Sequence, residues 1–229
     1  MTEILRLIYD HTSEGGAVYF MQREKNTEKV LKSLRESGWE YQNLIIWKKK
    51  TSAVPSDIRF AKQFQVIVFA TKGKPRLFHK LRIDPPLPAE YKYKRENGVY
   101  LTDVWADIRE MTSGYFAGDE ALRDEKGKRI HTQQSPIALL LRIILSSSKT
   151  DDLIFDPFAG SGTTLVTAQQ LKRESLGIEI DPANVELIEK RTAQIRPADE
   201  VERFRKEYVY TDGLEKIWPK RSIPLLSEA

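Results

Sequence analysis

Short apolar runs and longer segments with apolar residues at helical spacing follow one another along this 229-residue chain. Short runs bounded by polar residues are typical of buried strands, and apolar residues recurring every three or four positions predict helices. The predicted strands are 17–21, 39–47, 64–71, 153–155 and 175–181, and the predicted helices are 2–9, 27–37, 135–145, 165–171 and 182–195. This order of elements predicts an α/β protein. Residues 196–229 follow as a tail, in which 201–210 is compatible with one more helix.

A glycine-rich turn joins the predicted strand 153–155 to the predicted helix 165–171, and it reads Asp-Pro-Phe-Ala-Gly-Ser-Gly-Thr-Thr over residues 156–164. Gly160 and Gly162 allow the backbone to turn tightly and to approach a ligand closely. Thr163 and Thr164 are candidate helix caps, and the N–H groups at a helix start favour an anionic group. Strand, glycine turn and helix in this order predict a nucleotide-type cofactor site.

A second short strand ends in acidic residues soon after the turn. Glu179 follows Gly162 by 17 residues, close to the spacing of about 20 at which an acidic side chain meets ribose hydroxyls. A tight turn beside a solvent-facing carboxylate would produce the same pattern without binding a cofactor. The coincidence of turn, cap, helix and acid favours the cofactor site over this alternative.

Composition narrows the class of protein. Hydrophobic residues are 40% and charged residues 31% of the chain, as in a globular protein. No apolar run approaches the roughly 20 residues of a membrane span, and residues 1–20 lack the pattern of a signal peptide, so the cytoplasm is the expected location. Cysteine is absent and His11, His79 and His131 are far apart, so we expect neither disulfides nor a metal site.

The net charge of +4 says little about partners, but the charges are unevenly distributed. Residues 72–95 contain eight basic and two acidic side chains, and a second basic cluster occupies 48–50. Such clusters either neutralise nucleic-acid phosphates or form an ordinary solvated surface. The candidate phosphate contacts are Lys48, Lys49, Lys50, Lys92, Lys94 and Arg95.

The turn sequence over 156–164 resembles the S-adenosylmethionine-binding motif of DNA amino-methyltransferases, the enzymes that modify adenine N6 or cytosine N4. Residues 131–136, His-Thr-Gln-Gln-Ser-Pro, are similar to the His-Pro-Thr-Gln-Lys-Pro helix of that family, and 102–105, Thr-Asp-Val-Trp, to its Asp-Val-Trp element. The resemblance covers residues 3–195. The late position of the cofactor motif is that of the permuted, or beta, group.

The resemblance implies a fold as well as a function. The implied fold is a Rossmann-like, S-adenosylmethionine-dependent methyltransferase sheet, permuted and mostly parallel, with 39–47 and 64–71 as an antiparallel hairpin at its edge. It divides the chain into the N-terminal part of the methyltransferase core (1–73), a target-recognition and DNA-contact segment (74–130), a cofactor-binding half (131–195) and a C-terminal tail (196–229).

The cofactor implied by the resemblance is S-adenosyl-L-methionine. Asp156 would meet its ammonium group, Phe158 would pack against it, and Glu179 would bind its ribose. Ile180 and Asp181 would border the adenine, and residues 131–135 would close the methionine side. The implied cofactor-binding residues are Asp156, Pro157, Phe158, Gly160, Ser161, Gly162, Thr163, Thr164, Glu179, Ile180, Asp181, His131 and Gln134. We expect Gly162→Val to block cofactor binding by steric clash without unfolding the protein.

The catalytic signature of the family is Asp, Asn or Ser followed by Pro-Pro and an aromatic residue. It belongs before the helix that leads into strand 17–21, so we expect it upstream of Met1, expect an N-terminally incomplete fold, and assign no catalytic residue. Residues 84–87, Asp-Pro-Pro-Leu, are a poor substitute because Leu87 lacks the aromatic face that stacks on a flipped base. A second polypeptide that supplies the missing segment, or a second copy of the chain, is an expected partner.

The expected function is that of an enzyme that transfers a methyl group to the exocyclic amine of a flipped adenine or cytosine in double-stranded DNA. Beside such a core, the basic clusters favour DNA contact over a solvated surface. Two alternatives stay open: a noncatalytic remnant or subunit that binds DNA or cofactor, and a methyltransferase that acts on RNA. The modified base and the target sequence also stay open.

Overall fold

The computed structural model describes residues 1–51, 54–84, 96–111, 118–131 and 133–220. Contacts between these residues separate the chain into two compact units. The first unit contains the described residues of 1–80 and 85–110, and the second contains 81–84 and the described residues of 111–229.

The secondary structure alternates between strands and helices, as the residue pattern predicts. The helices are α1 (Thr2–His11), α2 (Thr27–Glu36), α3 (Ile137–Ser147), α4 (Thr163–Gln170), α5 (Pro182–Ala193) and α6 (Leu214–Ile217). The strands are β1 (Ala17–Gln22), β2 (Glu40–Lys48), β3 (Phe64–Thr71), β4 (Arg82–Ile83), β5 (Val99–Tyr100), β6 (Val104–Trp105), β7 (Leu153–Asp156) and β8 (Glu174–Gly177). Short 3-10 helices span Glu24–Asn26, Pro197–Asp199 and Val201–Tyr208. Among the residues described, no helix has the length and hydrophobicity needed to cross a bilayer.

A four-stranded sheet with the order β1-β3-β2-β6 forms the first unit. β3 pairs antiparallel with β1 and β2, whereas β2 and β6 are parallel, so β3 alone runs against the other three strands. The expected antiparallel pairing of 39–47 with 64–71 is confirmed, with Ile45 opposite Ile67, but the pair does not lie at the edge of this sheet, because β1 and β6 flank it. The short strand β6, which the residue pattern did not predict, lies outside β2 and places Trp105 beside Trp47.

The core of the first unit lies between one face of this sheet and helices α1 and α2. Side chains two positions apart in a strand point to the same face, so β3 contributes three alternate residues to this core. The core consists of Leu5, Val30, Leu34, Trp39, Val66, Val68 and Ala70. The indole N–H of Trp39 donates to the carbonyl oxygen of Leu5 at 3.1 Å, so this large side chain is buried with its polar atom paired.

The second unit contains a strand–helix–strand segment in which β7 and β8 pair in parallel. α4 contacts both strands and packs against α3 and α5. α3 is central because it is apolar on nearly all sides. Its buried apolar residues are Ile137, Leu139, Leu141, Ile144 and Leu145.

The other face of the β7–β8 pair is partly exposed, unlike the buried strand that the apolar run 153–155 predicts. Leu153 and Phe155 on β7 and Leu176 on β8 are all exposed. Phe155 lies opposite Leu176 in the parallel register, so these side chains share one face. Among the residues that the structure describes, helices cover only the opposite face.

The segment predicted as a tail contributes to the core of the second unit through its described part, which ends at residue 220. Its buried apolar residues are Val201, Tyr208, Leu214, Ile217 and Trp218. The Tyr208 hydroxyl accepts a hydrogen bond from Nε of the fully buried Arg142 at 3.1 Å. Rings of Tyr208 and Trp218 meet edge to face, with centroids 6.0 Å apart. Residues 201–218 are therefore an integral part of this unit.

Candidate functional site

The glycine turn connects the end of β7 to the start of α4. Gly160 and Gly162 have φ angles of 55° and 77°, a left-handed conformation that glycine adopts without strain. Gly162 is the N-cap of α4, and no side chain caps the helix. The predicted capping by Thr163 and Thr164 is therefore wrong, because both residues lie inside the first helical turn and the Thr164 hydroxyl bonds to Asp156 instead.

Asp156 closes the turn with both oxygens of its carboxylate. Oδ1 accepts the backbone N–H of Phe158 at 3.0 Å, and Oδ2 accepts the hydroxyl of Thr164 at 2.6 Å. The next residue, Pro157, is half-buried. These bonds join the end of the strand to the first turn of the helix and give Asp156 a structural role. Its contact with the ammonium group of a cofactor stays a prediction.

Glu179, in the segment that follows β8, binds the same turn. Its Oε2 accepts the backbone N–H of Gly160 at 2.7 Å, and its Oε1 accepts the N–H groups of Ile180 and Asp181 at 3.0 and 2.9 Å. The bond from Asp181, with those from Gly160, Asn184 and Ile180, outweighs burial and holds the pKa of Glu179 below its ordinary value. The acidic residue singled out by its spacing thus lies beside the turn and is ionised at neutral pH.

Two exposed apolar side chains follow the carboxyl ends of β7 and β8, where open α/β sheets bind their ligands. Phe158 is 71% exposed and Ile180 is 97% exposed. Asp181 is the N-cap of α5, and its Oδ1 accepts the backbone N–H of Ala183 at 3.0 Å. The two apolar surfaces are therefore open to a ligand, whereas one oxygen of Asp181 is occupied as a helix cap.

The back of the turn is filled by α5. Gly162 faces Ile188 so closely that a Cβ atom on Gly162 would lie 2.7 Å from Ile188 Cγ1. Arg191, one turn further along the same helix, donates to the carbonyl oxygen of the buried Ser161 and lies 3.4 Å from Thr163 Oγ1. Val185, earlier on the same helix, is 36% exposed. Ile188 and Arg191 are three residues apart, so they share one face of the helix. This spacing is the one sequence signal that could have revealed that Arg191 points inward.

His131 lies beside the turn, as expected. A Cβ atom on Gly160 would be 3.3 Å from His131 Nε2, so the absence of a side chain at Gly160 makes room for the imidazole. The buried Nδ1 of His131 has no hydrogen-bond partner within the described ranges.

Gln134 is directed away from the turn. Its Oε1 accepts the backbone N–H of Leu122 at 3.0 Å, and its Nε2 donates to the carbonyl oxygen of Glu120 at 2.9 Å. Both ends of the Gln134 amide are thus used within the protein, and its predicted contact with a cofactor stays a prediction.

Glu120 is a buried carboxylate that the residue pattern missed, because the charged run 119–129 predicts a solvated turn. Its Oε2 accepts the backbone N–H of Ile137 at the start of α3 at 2.9 Å, and its Oε1 accepts from Arg203 Nη2 at 2.7 Å. Burial raises the pKa of Glu120, although these bonds act in the opposite direction. Glu120 therefore fixes the segment that carries His131 and Gln134.

The basic cluster Lys48–Lys50 lies in the first unit, at the end of β2. Lys48 and Lys50 are exposed, and the Lys49 ammonium lies 5.5 Å from the ring centroid of Trp47. The buried Glu110 accepts the backbone N–H groups of Lys50 and Thr51, each at 2.8 Å. Burial opposes the ionisation of Glu110, but its bonds from Thr51 and the backbone hold its pKa below the ordinary value. The other predicted phosphate contacts, Lys92, Lys94 and Arg95, and the segment 85–87 lie outside the described residues.

A comparison with known protein families identifies the family of the chain. The family model described as DNA methylase matches residues 1–190 of this chain.

The chain belongs to the DNA methylase family.

Two curated relatives are similar to this chain. It is 29% identical over 184 residues to the Type II methyltransferase M.HinfI of Haemophilus influenzae, and the match covers 80% of this chain and 47% of the relative. It is 30% identical over 188 residues to the Type II methyltransferase M2.DpnII of Streptococcus pneumoniae, over 82% of this chain and 64% of the relative. The chain thus spans between about half and two thirds of the length of these relatives.

Solved structures share the fold of this chain. The cytosine-N4-specific PvuII DNA methyltransferase superposes with a TM-score of 0.62 at 17% identity, covering 90% of this chain and 73% of that one. The M1.HpyAVI–SAM complex gives 0.56 at 21% identity, covering 84% and 82%. The α/β class predicted from the residue pattern, and the family and Rossmann-like fold implied by the resemblance, are confirmed.

Proposed function

We propose that this DNA methylase binds S-adenosyl-L-methionine at the glycine turn and acts, in the cytoplasm, on the exocyclic amine of adenine (N6) or cytosine (N4) in double-stranded DNA. The observation that carries the proposal is the bond from the Gly160 N–H to Glu179, which joins the turn to the acidic segment that follows β8. Type II methyltransferases are among its relatives, and M1.HpyAVI was solved with SAM.

The residues at the turn fit this cofactor chemically. Asp156 and Glu179 supply carboxylates suited to an ammonium group and to ribose hydroxyls. The exposed Phe158 and Ile180 supply apolar surface for an adenine ring and for a sulfonium centre. His131 lies beside Gly160, where it would close the methionine side. When bound, the cofactor supplies a methyl group made electrophilic by its sulfonium sulfur, and the chain's own residues bind and orient it.

Glu179 provides the direct test of this cofactor site. Glu179→Gln removes the negative charge that several N–H groups share, so the affinity for S-adenosylmethionine measured by calorimetry should fall about tenfold or more, the equivalent of one charged hydrogen bond. Glu174→Gln is the matched control, because this exposed residue begins β8, at the end of the strand away from the turn. Equal affinities in the two variants, or no binding by the unaltered protein, would contradict the proposal.

The second part of the proposal is that the connection between β2 and β3 contacts DNA. It carries the exposed Lys48 and Lys50, and the exposed apolar residues Val54, Ile58 and Phe60, of which Phe60 is 97% exposed. Basic side chains bind phosphates, and clustered exposed apolar residues mark interaction surfaces. Glu110 fixes the start of this connection through two backbone hydrogen bonds.

Replacement of Lys48, Lys49 and Lys50 by Gln should reduce the salt dependence of binding to a short DNA duplex. Each lost phosphate contact lowers the slope of log K against log salt by about 0.9. The triple variant of Lys25, in the 3-10 helix before α2, and of the exposed Lys29 and Lys32 on α2 removes the same charge and should leave the slope unchanged. Identical slopes in the two triple variants would remove this cluster from the DNA interface.

A noncatalytic DNA- or cofactor-binding subunit is the second candidate function. Residues 1–229 contain no Asp/Asn/Ser-Pro-Pro-aromatic signature, and only an activity measurement separates this candidate from an enzyme that acts alone or with a second polypeptide or a second copy. Transfer of a labelled methyl group to duplex DNA by the chain alone would exclude it. Transfer to tRNA but not to DNA would favour the RNA methyltransferase instead.

A further inference from the structure

A buried arginine behind the glycine turn belongs to none of the roles assigned above. The Arg191 side chain is 2% exposed and donates through Nη1 to the carbonyl oxygen of Ser161. Its Nε and Nη2 donate to the two carboxylate oxygens of Asp199, at 3.1 and 2.9 Å. The guanidinium fork thus binds a carboxylate on one side and the turn on the other, a geometry that matches its planar arrangement of donors.

Asp199 also accepts hydrogen bonds from two other side chains. Arg196 donates to its carboxylate through Nε and Nη2 at 2.8 and 2.7 Å, and Gln170 Nε2 donates to its backbone carbonyl at 2.8 Å. The Asp199 side chain is completely buried. Asp199 therefore fixes the position of Arg191, and through Arg191 it acts on the turn.

A buried ion pair contributes little to stability compared with well-packed apolar residues. An apolar side chain at position 191 would fill the space but could not donate to the carbonyl of Ser161. The turn needs such a contact because Ser161 lies between two glycines, which have the greatest backbone freedom of all residues. Glu179 holds the N–H of Gly160, and Arg191 holds the carbonyl of the next residue, Ser161.

We propose that Arg191, held by Asp199, is a positioning residue that fixes Gly160–Gly162 in the conformation that receives the amino-acid end of S-adenosylmethionine. This inference rests on the proposed cofactor site. It assigns to α5 and to the 3-10 turn Pro197–Asp199 a part in cofactor binding without direct contact.

The test compares two ligands that differ at the amino-acid end. S-adenosylhomocysteine has that end, whereas 5′-methylthioadenosine lacks it. In calorimetry, Arg191→Lys keeps the charge but loses the fork, so the affinity for S-adenosylhomocysteine should fall about tenfold or more, as for one charged hydrogen bond. The affinity for 5′-methylthioadenosine should change less than about twofold, because this ligand lacks the amino-acid end that the turn receives. A loss of affinity confined to one ligand also shows that the variant is folded.

Arg173→Lys is the matched control. Arg173 is a second buried arginine of the same unit, 3% exposed, and it donates to the backbone carbonyls of Leu171, Ile217 and Ser148 instead of the turn. Its replacement should leave the ratio of the two affinities unchanged. Asp199→Asn, which weakens the hold on Arg191, should reproduce the selective loss and provides an independent variant if Arg191→Lys does not fold.

Equal losses for both ligands, no loss for either, or the same selective loss in Arg173→Lys would overturn the positioning role while leaving the cofactor site intact. Absence of binding of both ligands to the unaltered protein would overturn the proposed function and this inference with it.

Discussion

At the scale of single residues, Gly162 lacks a side chain because helix α5 packs against it, and not because a ligand must approach its backbone. The glycine-rich turn led us to expect that a side chain at this position would block a cofactor and leave the fold intact. A Cβ atom there would instead lie 2.7 Å from Ile188 Cγ1. The position of α5 against α4 therefore depends on this glycine, and substitution acts first on stability.

Gly162→Ala should destabilise the protein more than Gly127→Ala. Both glycines have a φ of 77°, which costs an alanine about 1–2 kcal/mol, but a Cβ atom on Gly127 would meet nothing within 4 Å. The contact with Ile188 should add about 1–3 kcal/mol, as overpacking does. Urea denaturation measures both free energies of unfolding. Equal losses would contradict the packing role, and the additional change Ile188→Ala should recover part of the loss in Gly162→Ala.

The positions of residues in the site were predictable where spacing along the chain determines which residues come together. Glu179 was found from its distance to Gly162, because two adjacent parallel strands bring their carboxyl ends together. Arg191, Asp199 and Glu120 were not found, since charged residues are usually exposed and only tertiary packing reveals a buried pair. The resemblance did not indicate that the amide of Gln134 bonds to Leu122 and Glu120, and the contact of Gln134 with a cofactor stays a prediction.

At the scale of elements, the residue pattern predicted which segments are helices or strands better than it predicted the residues at which they end. The predicted strand 175–181 ends at Gly177 in the structure, because the carboxylate of Glu179 binds the following N–H groups and the chain turns there. The 201–210 segment forms a 3-10 helix over Val201–Tyr208. The antiparallel pairing of β2 with β3 came from family resemblance, since the residue pattern alone fixes no strand order.

The link between α5 and the 3-10 turn Pro197–Asp199 should make stability depend on pH. Burial opposes the ionisation of Asp199, but hydrogen bonds from Arg196 and Arg191 outweigh it and hold its pKa below the ordinary 3.8. A carboxyl with a depressed pKa stabilises the folded state above its unfolded pKa, and this stabilisation is lost as pH falls through the folded pKa.

Asp199→Asn should therefore be less stable than the unaltered protein at pH 7, by about 3–5 kcal/mol, because Arg191 loses its partner charge. The difference should shrink as the pH falls below about 4. Urea denaturation from neutral to acidic pH measures it, with the exposed Asp212→Asn as control. A difference that stays constant down to the lowest pH would contradict the ion pair as its source.

At the scale of the whole molecule, the chain divides into two units whose cores use distant parts of the sequence. Residues 201–218 follow the last recognisable motif, yet they bury Tyr208 and Trp218 almost completely. Few apolar residues in this segment recur at a regular spacing, so its role in the core was not predictable from the pattern.

Trp218→Ala should destabilise the second unit by about 3–5 kcal/mol, the usual effect of removing a large buried aromatic side chain. Trp218 is 1% exposed and packs against Tyr208 and the guanidinium of Arg205. Thermal unfolding followed by circular dichroism measures the loss. Val209→Ala, at a 58% exposed position of the same segment, should have little effect. A loss in Trp218→Ala as small as the loss in Val209→Ala would contradict the role of Trp218 in the core of the second unit.

The four tryptophans are unevenly divided between the units, with Trp39, Trp47 and Trp105 in the first and Trp218 in the second. All four are buried, so each emits from a nonpolar environment until its own unit opens. Intrinsic fluorescence of the unaltered protein is thus weighted towards the first unit. In Trp218→Ala the emission comes from that unit alone, and subtraction of the two signals isolates a single chromophore that monitors the half of the chain that carries the glycine turn.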